Sequence, residues 1–162
     1  MFYTTTLPTP LGIITLASDG EHLKGLWMEE QKYFGHSINE TLTQNDGLPI
    51  FNQTKKWLTR YFAGENPPIN ELPLAPNGSP FRQSVWQILN QIPYGKVITY
   101  GEIAKRLACN SAQAVGGAVG HNPISIIIPC HRVVGAKGSL TGYAGGLDKK
   151  RKLLELEKAI LF

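Results

Sequence analysis

Four prolines, Pro67, Pro68, Pro73 and Pro76, and a glycine, Gly78, fall within a dozen residues near the middle of this 162-residue chain. No helix or central strand survives such a stretch, because proline lacks a backbone donor and fixes its own φ. The chain must therefore change character here. Before the break the pattern is of strands. Residues 2–7 are rich in threonine and aromatics, residues 12–17 are apolar and β-branched, and Pro8-Thr9-Pro10-Leu11-Gly12 between them is a turn. Leu23–Met28 is a third strand after Asp19-Gly20, residues 29–48 are polar and read as helix or loop, and Ile50, Thr54, Trp57, Leu58, Tyr61 and Phe62 recur at helical spacing up to Ala63-Gly64.

After the break the pattern is helical. Ser79 and Pro80 are a cap and a first helical residue, with Phe81, Val85, Trp86, Leu89 and Ile92 as the buried face. Thr99-Tyr100-Gly101-Glu102 is a capping-box pattern opening a short helix that breaks at Cys109-Asn110. A second short helix runs from Ala112 to about Gly120, capped by Ser111 or Asn110; the pair reads as a helix-turn-helix. Residues 126–128 are expected as a buried extended segment, residues 135–146 as a glycine-rich loop, and Asp148 as the cap of a last helix burying Leu153, Leu154, Leu156 and Ile160. The expected fold is thus α+β, with a sheet-plus-helix domain over 1–77 and a mostly helical domain over 79–162.

The second helix of the pair holds Ala112, Ala114, Gly116, Gly117, Ala118 and Gly120. Glycine in a helix interior costs about 1 kcal/mol relative to alanine, so this composition needs a reason. Either another helix packs closely there, or the backbone must approach something bulky such as a DNA groove.

Charge divides along the same line. Residues 1–80 carry 5 Lys/Arg against 8 Asp/Glu, and residues 81–162 carry 11 against 4. The basic half suits a polyanion, nucleic acid above all. No run approaches the roughly 18 apolar residues of a bilayer span, so no membrane partner is expected. The opening Met-Phe-Tyr-Thr-Thr-Thr lacks the features of a secretory signal, and two cysteines make no disulfide framework, so the cytoplasm is the expected location.

One of those cysteines stands in Ile126-Ile127-Ile128-Pro129-Cys130-His131-Arg132-Val133-Val134. An apolar approach keeps a thiol neutral, whereas a neighbouring base or cation makes it a nucleophile. This run supplies both.

These residues resemble the O6-alkylguanine-DNA alkyltransferases. The carriers are Pro129-Cys130-His131-Arg132-Val133, Asn122-Pro123, Ala114-Val115-Gly116-Gly117-Ala118, Thr141-Gly142-Tyr143-Ala144-Gly145-Gly146 and Glu157, with looser likeness at Thr9-Pro10-Leu11-Gly12 and Tyr61-Phe62-Ala63-Gly64. The resemblance implies a ribonuclease-H-like N-terminal domain and a single-turnover, self-inactivating transfer of the alkyl group from O6-alkylguanine in double-stranded DNA. Cys130 would be the nucleophile, His131 its base through a water, Glu157 the group orienting that imidazole, and Asn122 the holder of the turn into the site. Tyr100 would help rotate the nucleotide out and serve as an acid to the leaving guanine. Tyr143, Ala144, Val133 and Ser125 would line the base pocket. Ala112, Gln113, Ala114 and Gly116 would lie in the minor groove, with Arg82, Lys96, Lys105 and Arg106 at phosphates; Arg132, inside the apolar run, is expected to be structural. The protein is expected to act as a monomer.

Two departures stand out. Most of the family has arginine where this chain has Gln113, which implies weaker base extrusion. Ser125 stands where some relatives carry proline, implying a roomier pocket that extends the expected substrates to larger adducts and O4-alkylthymine. Family members that bind zinc do so in the N-terminal part; here no cysteine precedes Cys109 and only His22 and His36 lie in that half, so neither metal nor other cofactor is expected. A non-catalytic lesion binder, a helix-turn-helix regulator and a cysteine hydrolase are the competing readings. Cys130 with His131 and Glu157 argues against the first two, and the basic half without an oxyanion-hole glycine motif argues against the third.

Overall fold

The computed structural model describes residues 1–159. The chain forms two compact units, Met1–Asn77 with Pro123–Ser125, and Gly78–Asn122 with residues 126 onward.

In the first unit β1 (Phe2–Thr9), β2 (Gly12–Ser18) and β3 (Leu23–Met28) form an antiparallel meander, and β4 (Leu42–Gln44) adds to β1 in parallel, giving the order β3-β2-β1-β4. β4 lies in the polar tract read as helix or loop. Its side chains are half-buried or exposed, so it carries no apolar alternation, and the open edge of β1 supplies its pairing. Helix α1 (Pro49–Phe62) buries Ile50, Phe51, Thr54, Trp57, Leu58 and Tyr61. It ends at Ala63, with Gly64 following at φ 92°.

The proline-rich segment is not a free linker. The Trp57 indole N–H donates to the Pro68 carbonyl at 2.8 Å. The Leu23 N–H donates to Pro73 at 2.8 Å and Ala75 N–H to Leu23 at 2.9 Å, so the outer edge of β3 is partly covered. Pro123–Ser125 covers the rest: Leu26 N–H donates to Pro123 at 2.8 Å and Ser125 N–H to Leu26 at 3.1 Å. Both contacts satisfy edge groups that would otherwise invite another strand.

The second unit opens with α2 (Pro80–Asn90), whose Ser79 Oγ accepts from Arg82 N–H. Val85, Trp86, Ile88 and Leu89 are buried, followed by Ile92. Phe81, expected among them, stays 36% exposed, because the apolar stripe runs one turn beyond the packing it serves. β5 (Ile98–Thr99) pairs in parallel with β6 (Val133–Val134). Helix α3 (Tyr100–Arg106) follows at once, with Thr99 Oγ1 accepting from Glu102 N–H. The capping box is only half made: the Glu102 carboxylate turns to Arg106 at 3.3 Å. Ser111, not Asn110, caps α4 (Ala112–Gly120). The Trp86 indole donates to the Ala118 carbonyl at 2.8 Å, binding α2 to α4.

Two expectations are corrected here. Residues 126–128 are buried but form a turn, not an extended segment, and Ile126 takes φ 71°. A β-branched residue in the left-handed region is strained by about 1–3 kcal/mol, a cost the surrounding burial sustains. Asp148 does not cap α5 (Leu147–Leu156); Gly146, at φ 99°, holds that position, and Asp148 sits in the first turn, paired with Lys152 at 3.2 Å. Ile160, expected in the buried face of this helix, lies outside the described residues. Among the described residues no helix is long and apolar enough to cross a membrane.

Candidate active site

Cys130 opens a single 3₁₀ turn, Cys130–Arg132, directly before β6. Its N–H donates back to the Ile128 carbonyl at 2.8 Å, and the residue is 4% exposed. The same carbonyl accepts from Asn122 Nδ2 at 2.8 Å, so Asn122 pins the turn on which the thiol is presented. Because β6 pairs with β5, and β5 runs straight into α3, the thiol's turn is tied to the first helix of the helix-turn-helix and to Tyr100 at its start.

His131 and Glu157 form the buried pair beside it. Nε2 of His131 lies 2.6 Å from Glu157 Oε2, and neither side chain is exposed. The Nδ1 atom is also buried and has no hydrogen-bond partner among the described residues, so the ring does not bond the thiol directly. Burial pushes the Glu157 carboxyl up, but His131 and then Arg132 outweigh it and hold the group down to about 2. Burial is the largest effect on His131 and lowers it; Glu157 pulls it back only in part, while Arg132 and Lys150 lower it further. The resting imidazole is thus neutral. With its proton on Nε2 toward Glu157, its lone pair is on Nδ1.

Burial likewise pushes the Cys130 thiol up, against the pull of Asn122, Lys150 and Tyr143. The resting group is a neutral thiol, and a thiolate forms only when a base takes its proton. Tyr100 is raised to about 12 by burial and by the nearness of Cys130, so its hydroxyl stays protonated at neutral pH. This Oη donates to the Thr141 carbonyl at 3.1 Å.

A buried cysteine, a neutral imidazole with a free lone pair, a carboxylate behind it and a protonated phenol are the parts of a proton-managed nucleophilic displacement. Comparison with known proteins identifies the setting. Residues 80–159 match the family model described as 6-O-methylguanine DNA methyltransferase, DNA binding domain, and residues 1–76 match its ribonuclease-like domain. The chain belongs to the 6-O-methylguanine DNA methyltransferase family. The methylated-DNA–protein-cysteine methyltransferase of Haemophilus influenzae is 46% identical over 96% of this chain and 86% of its own length. The protein of that name from Methanosarcina acetivorans is 45% identical over 96% and 97%. Among solved structures, Mycobacterium tuberculosis OGT in complex with DNA superposes with a TM-score of 0.87, at 46% identity, over 96% of this chain and 92% of that one.

The α4 surface bears on the question its glycines raised. A Cβ added at Gly116, Gly117 or Gly120 would meet nothing within 4 Å. Packing among the described residues does not require those glycines. The buried side of α4 is Val115, Ala118 and Val119, while Ala112, Gln113 and Ala114 are exposed at its N-terminal end. Lys96 and Lys105 are exposed, Arg82 is half-buried, and Arg106 is exposed but engaged with Glu102. Arg132 is turned inward, with Nε 2.8 Å from Glu157 Oε1 and Nη1 2.7 Å from the Ile92 carbonyl.

Tyr143 and Ala144 stand on the loop before α5, both half-buried, and Val133 is buried in β6. Ser125 belongs to the first unit, where its Oγ donates to Gln31 Oε1 at 3.1 Å. Among the described residues no group of three or more His, Cys, Asp or Glu is placed to hold a metal ion.

Sequence reasoning missed Lys150. It is fully buried, its Nζ donates to the Thr141 and Gly142 carbonyls at 3.1 Å each, and burial brings it down to about 8, against the upward pull of Cys130. Within Lys149-Lys150-Arg151-Lys152 it reads as one more solvated charge. The available signal was its helical phase, three and four residues before the buried Leu153 and Leu154.

Proposed function

We propose that this chain repairs DNA directly, moving the alkyl group of O6-alkylguanine in duplex DNA onto Cys130 and acting once. The observation that carries this reading is the fully buried contact, 2.6 Å long, between His131 on the turn that presents Cys130 and Glu157 at the end of α5. Family membership along both halves, and a relative solved with DNA, support the substrate.

The lesion lies inside the base stack, so the nucleotide must turn out of the helix, at a cost of a few kcal/mol. The small, exposed face of α4 suits a narrow minor groove, with Gln113 at the site left by the extruded base and Ala112, Ala114 and Gly116 along the groove floor. Arg82, Lys96 and Lys105 are available to phosphates. Tyr143 and Ala144, with the carbonyls of Cys130 and Val133, frame the purine.

The thiol proton then passes through a water to Nδ1 of His131, whose imidazolium is stabilised by Glu157. The Cys130 sulfur attacks the alkyl carbon in line as the C–O6 bond breaks. Its electron pair goes to the guanine, which takes a proton from Tyr100, a phenol kept protonated by burial. The S–C bond formed is a stable thioether, so the protein is consumed. Two free cysteines suit a reducing compartment, which supports the cytoplasm as its place.

The test is an oligonucleotide carrying labelled O6-methylguanine. One label per chain on Cys130, and none on a Cys130→Ser protein, is expected. Turnover beyond one equivalent points to a hydrolase, and binding without transfer to a lesion binder; either result defeats the reading.

A further inference from the structure

Arg132 spends two of its donors on one carboxylate. Its Nε donates to Glu157 Oε1 at 2.8 Å, and its Nη2 to Oε2 at 3.1 Å. The third arm, Nη1, donates to the Ile92 carbonyl at 2.7 Å, and the guanidinium lies over the Tyr94 ring, 5.7 Å from its centre. The side chain is 11% exposed. Oε2 is shared: it also accepts from Nε2 of His131 at 2.6 Å.

We propose that Arg132 is a positioning residue for alkyl transfer, gripping both oxygens of Glu157 so that Oε2 is fixed on the Nε2–H of His131 while its charge is balanced, and the resting imidazole keeps a lone pair on Nδ1. The inference rests on the reading of His131 as the base for Cys130.

The physical need is specific. A lone carboxylate in a dry site draws a second proton onto a neighbouring imidazole, and an imidazolium has two donors and no acceptor. Such a ring cannot take the thiol's proton. A guanidinium on the far side of the carboxylate cancels most of that pull while leaving the orienting hydrogen bond in place. Among the described residues, the charged and titratable groups around His131 are Lys150 from α5 and Glu157 at its end, with Cys130 and Arg132 on its own turn; Tyr94 backs Arg132 and Glu157. Only Glu157 favours the charged ring, whereas Arg132 and Lys150 both oppose it. Nδ1, the atom that must remain an acceptor, is the one that is buried with no hydrogen-bond partner among the described residues. Lysine could supply the charge but not the planar two-point grip.

The experiment is ¹⁵N NMR of the histidine rings in the whole protein between pH 5 and 8, for wild type, Arg132→Met and Arg132→Lys, beside the pH profile of benzyl transfer from free O6-benzylguanine. Wild-type His131 is expected neutral, protonated on Nε2 and bare on Nδ1, to below the ordinary imidazole value of about 6.5. In Arg132→Met the titration midpoint should rise by about one pH unit, the low end of the effect of a charge at this range, and the acid limb of the transfer profile should rise with it. Arg132→Lys should hold the midpoint nearer wild type but transfer more slowly at every pH. A wild-type imidazolium at neutral pH overturns the proposal, as does a folded Arg132→Met with unchanged titration. Should Arg132→Met fail to fold, the wild-type spectrum and Arg132→Lys decide, a lysine variant with wild-type tautomer and wild-type rate being the overturning result. Absence of alkyl transfer in wild type instead defeats the parent reading, whatever the ring titration shows.

Discussion

The Tyr100 hydroxyl and the Lys150 ammonium close on the same two backbone carbonyls. Tyr100 Oη lies 3.1 Å from the Thr141 oxygen and 3.5 Å from that of Gly142, and Lys150 Nζ lies 3.1 Å from each. The Lys150 nitrogen is also 5.9 Å from the centre of the Tyr100 ring. The start of α3 and the first turns of α5 therefore grip one stretch of the loop that carries Tyr143 and Ala144.

Replacing Lys150 with methionine should separate activity from stability. The cation pulls the Cys130 thiol down, so its loss raises the pH at which thiolate forms. Transfer at neutral pH should fall about ten-fold, the effect of one pKa unit. Stability at neutral pH should hold or rise, because a buried ammonium with carbonyls and, among the described residues, no carboxylate beside it is costly. Lys150 is held at about 8 in the folded chain, below its ordinary 10.5. The unfolded chain thus binds more protons between those values, and wild-type stability from this group rises with pH across that window. Chemical denaturation from pH 7 to 10 should show that rise in wild type and not in Lys150→Met.

Gly117→Ala tests the meaning of the glycine-rich helix. The new methyl has open space, so the folded chain should gain about 0.5–1 kcal/mol. Duplex binding should weaken by contrast, since the methyl intrudes on whatever approaches α4. A thermal melt beside a fluorescence-anisotropy titration checks both; a less stable protein with unchanged DNA affinity would contradict the reading.

Gln113→Arg should speed repair of O6-methylguanine in duplex DNA and leave reaction with free O6-benzylguanine unchanged. Gln113 is exposed on α4, and the free base needs no extrusion. Equal changes in both second-order rate constants would count against a role for this residue in extrusion.

Glu157→Gln should cost about 3 kcal/mol, because Arg132 keeps its charge and loses its carboxylate. The Glu157 carboxyl is depressed from 4.5 to about 2, so its contribution to stability is full above pH 4.5 and is lost as pH falls through to 2. Acid unfolding followed by circular dichroism should be flatter over that window in the variant.

Much of the fold was legible. The meander, α1, the helix-turn-helix and their breaks follow from period-2 and period-3.6 patterns and from Ser, Thr, Gly and Pro at element ends. What escaped was structure held by the backbone of distant partners. β4 exists because β1 offers an open edge, and Pro123–Ser125 joins the first unit because β3 offers another. Residues 126–128 look like a strand by composition, yet the chain turns there with Ile126 in the left-handed region, a choice no local preference favours. The glycine Gly146 caps α5 although Asp148 is the better capping residue by type.

The sequence alone determined the chemistry at stake: a thiol in an apolar run beside an imidazole, a glycine-lined helix and a basic half, written as residue types that local rules interpret. Tertiary structure decided the protonation states. Whether Cys130 rests as a thiol, which nitrogen of His131 holds its lone pair, and why Lys150 is buried while Arg151 and Lys152 meet solvent depend on burial and on charges brought together from the Cys130–Arg132 turn and from α5 and its end. Electrostatic energy depends on distance and dielectric, and neither is set by position along the chain.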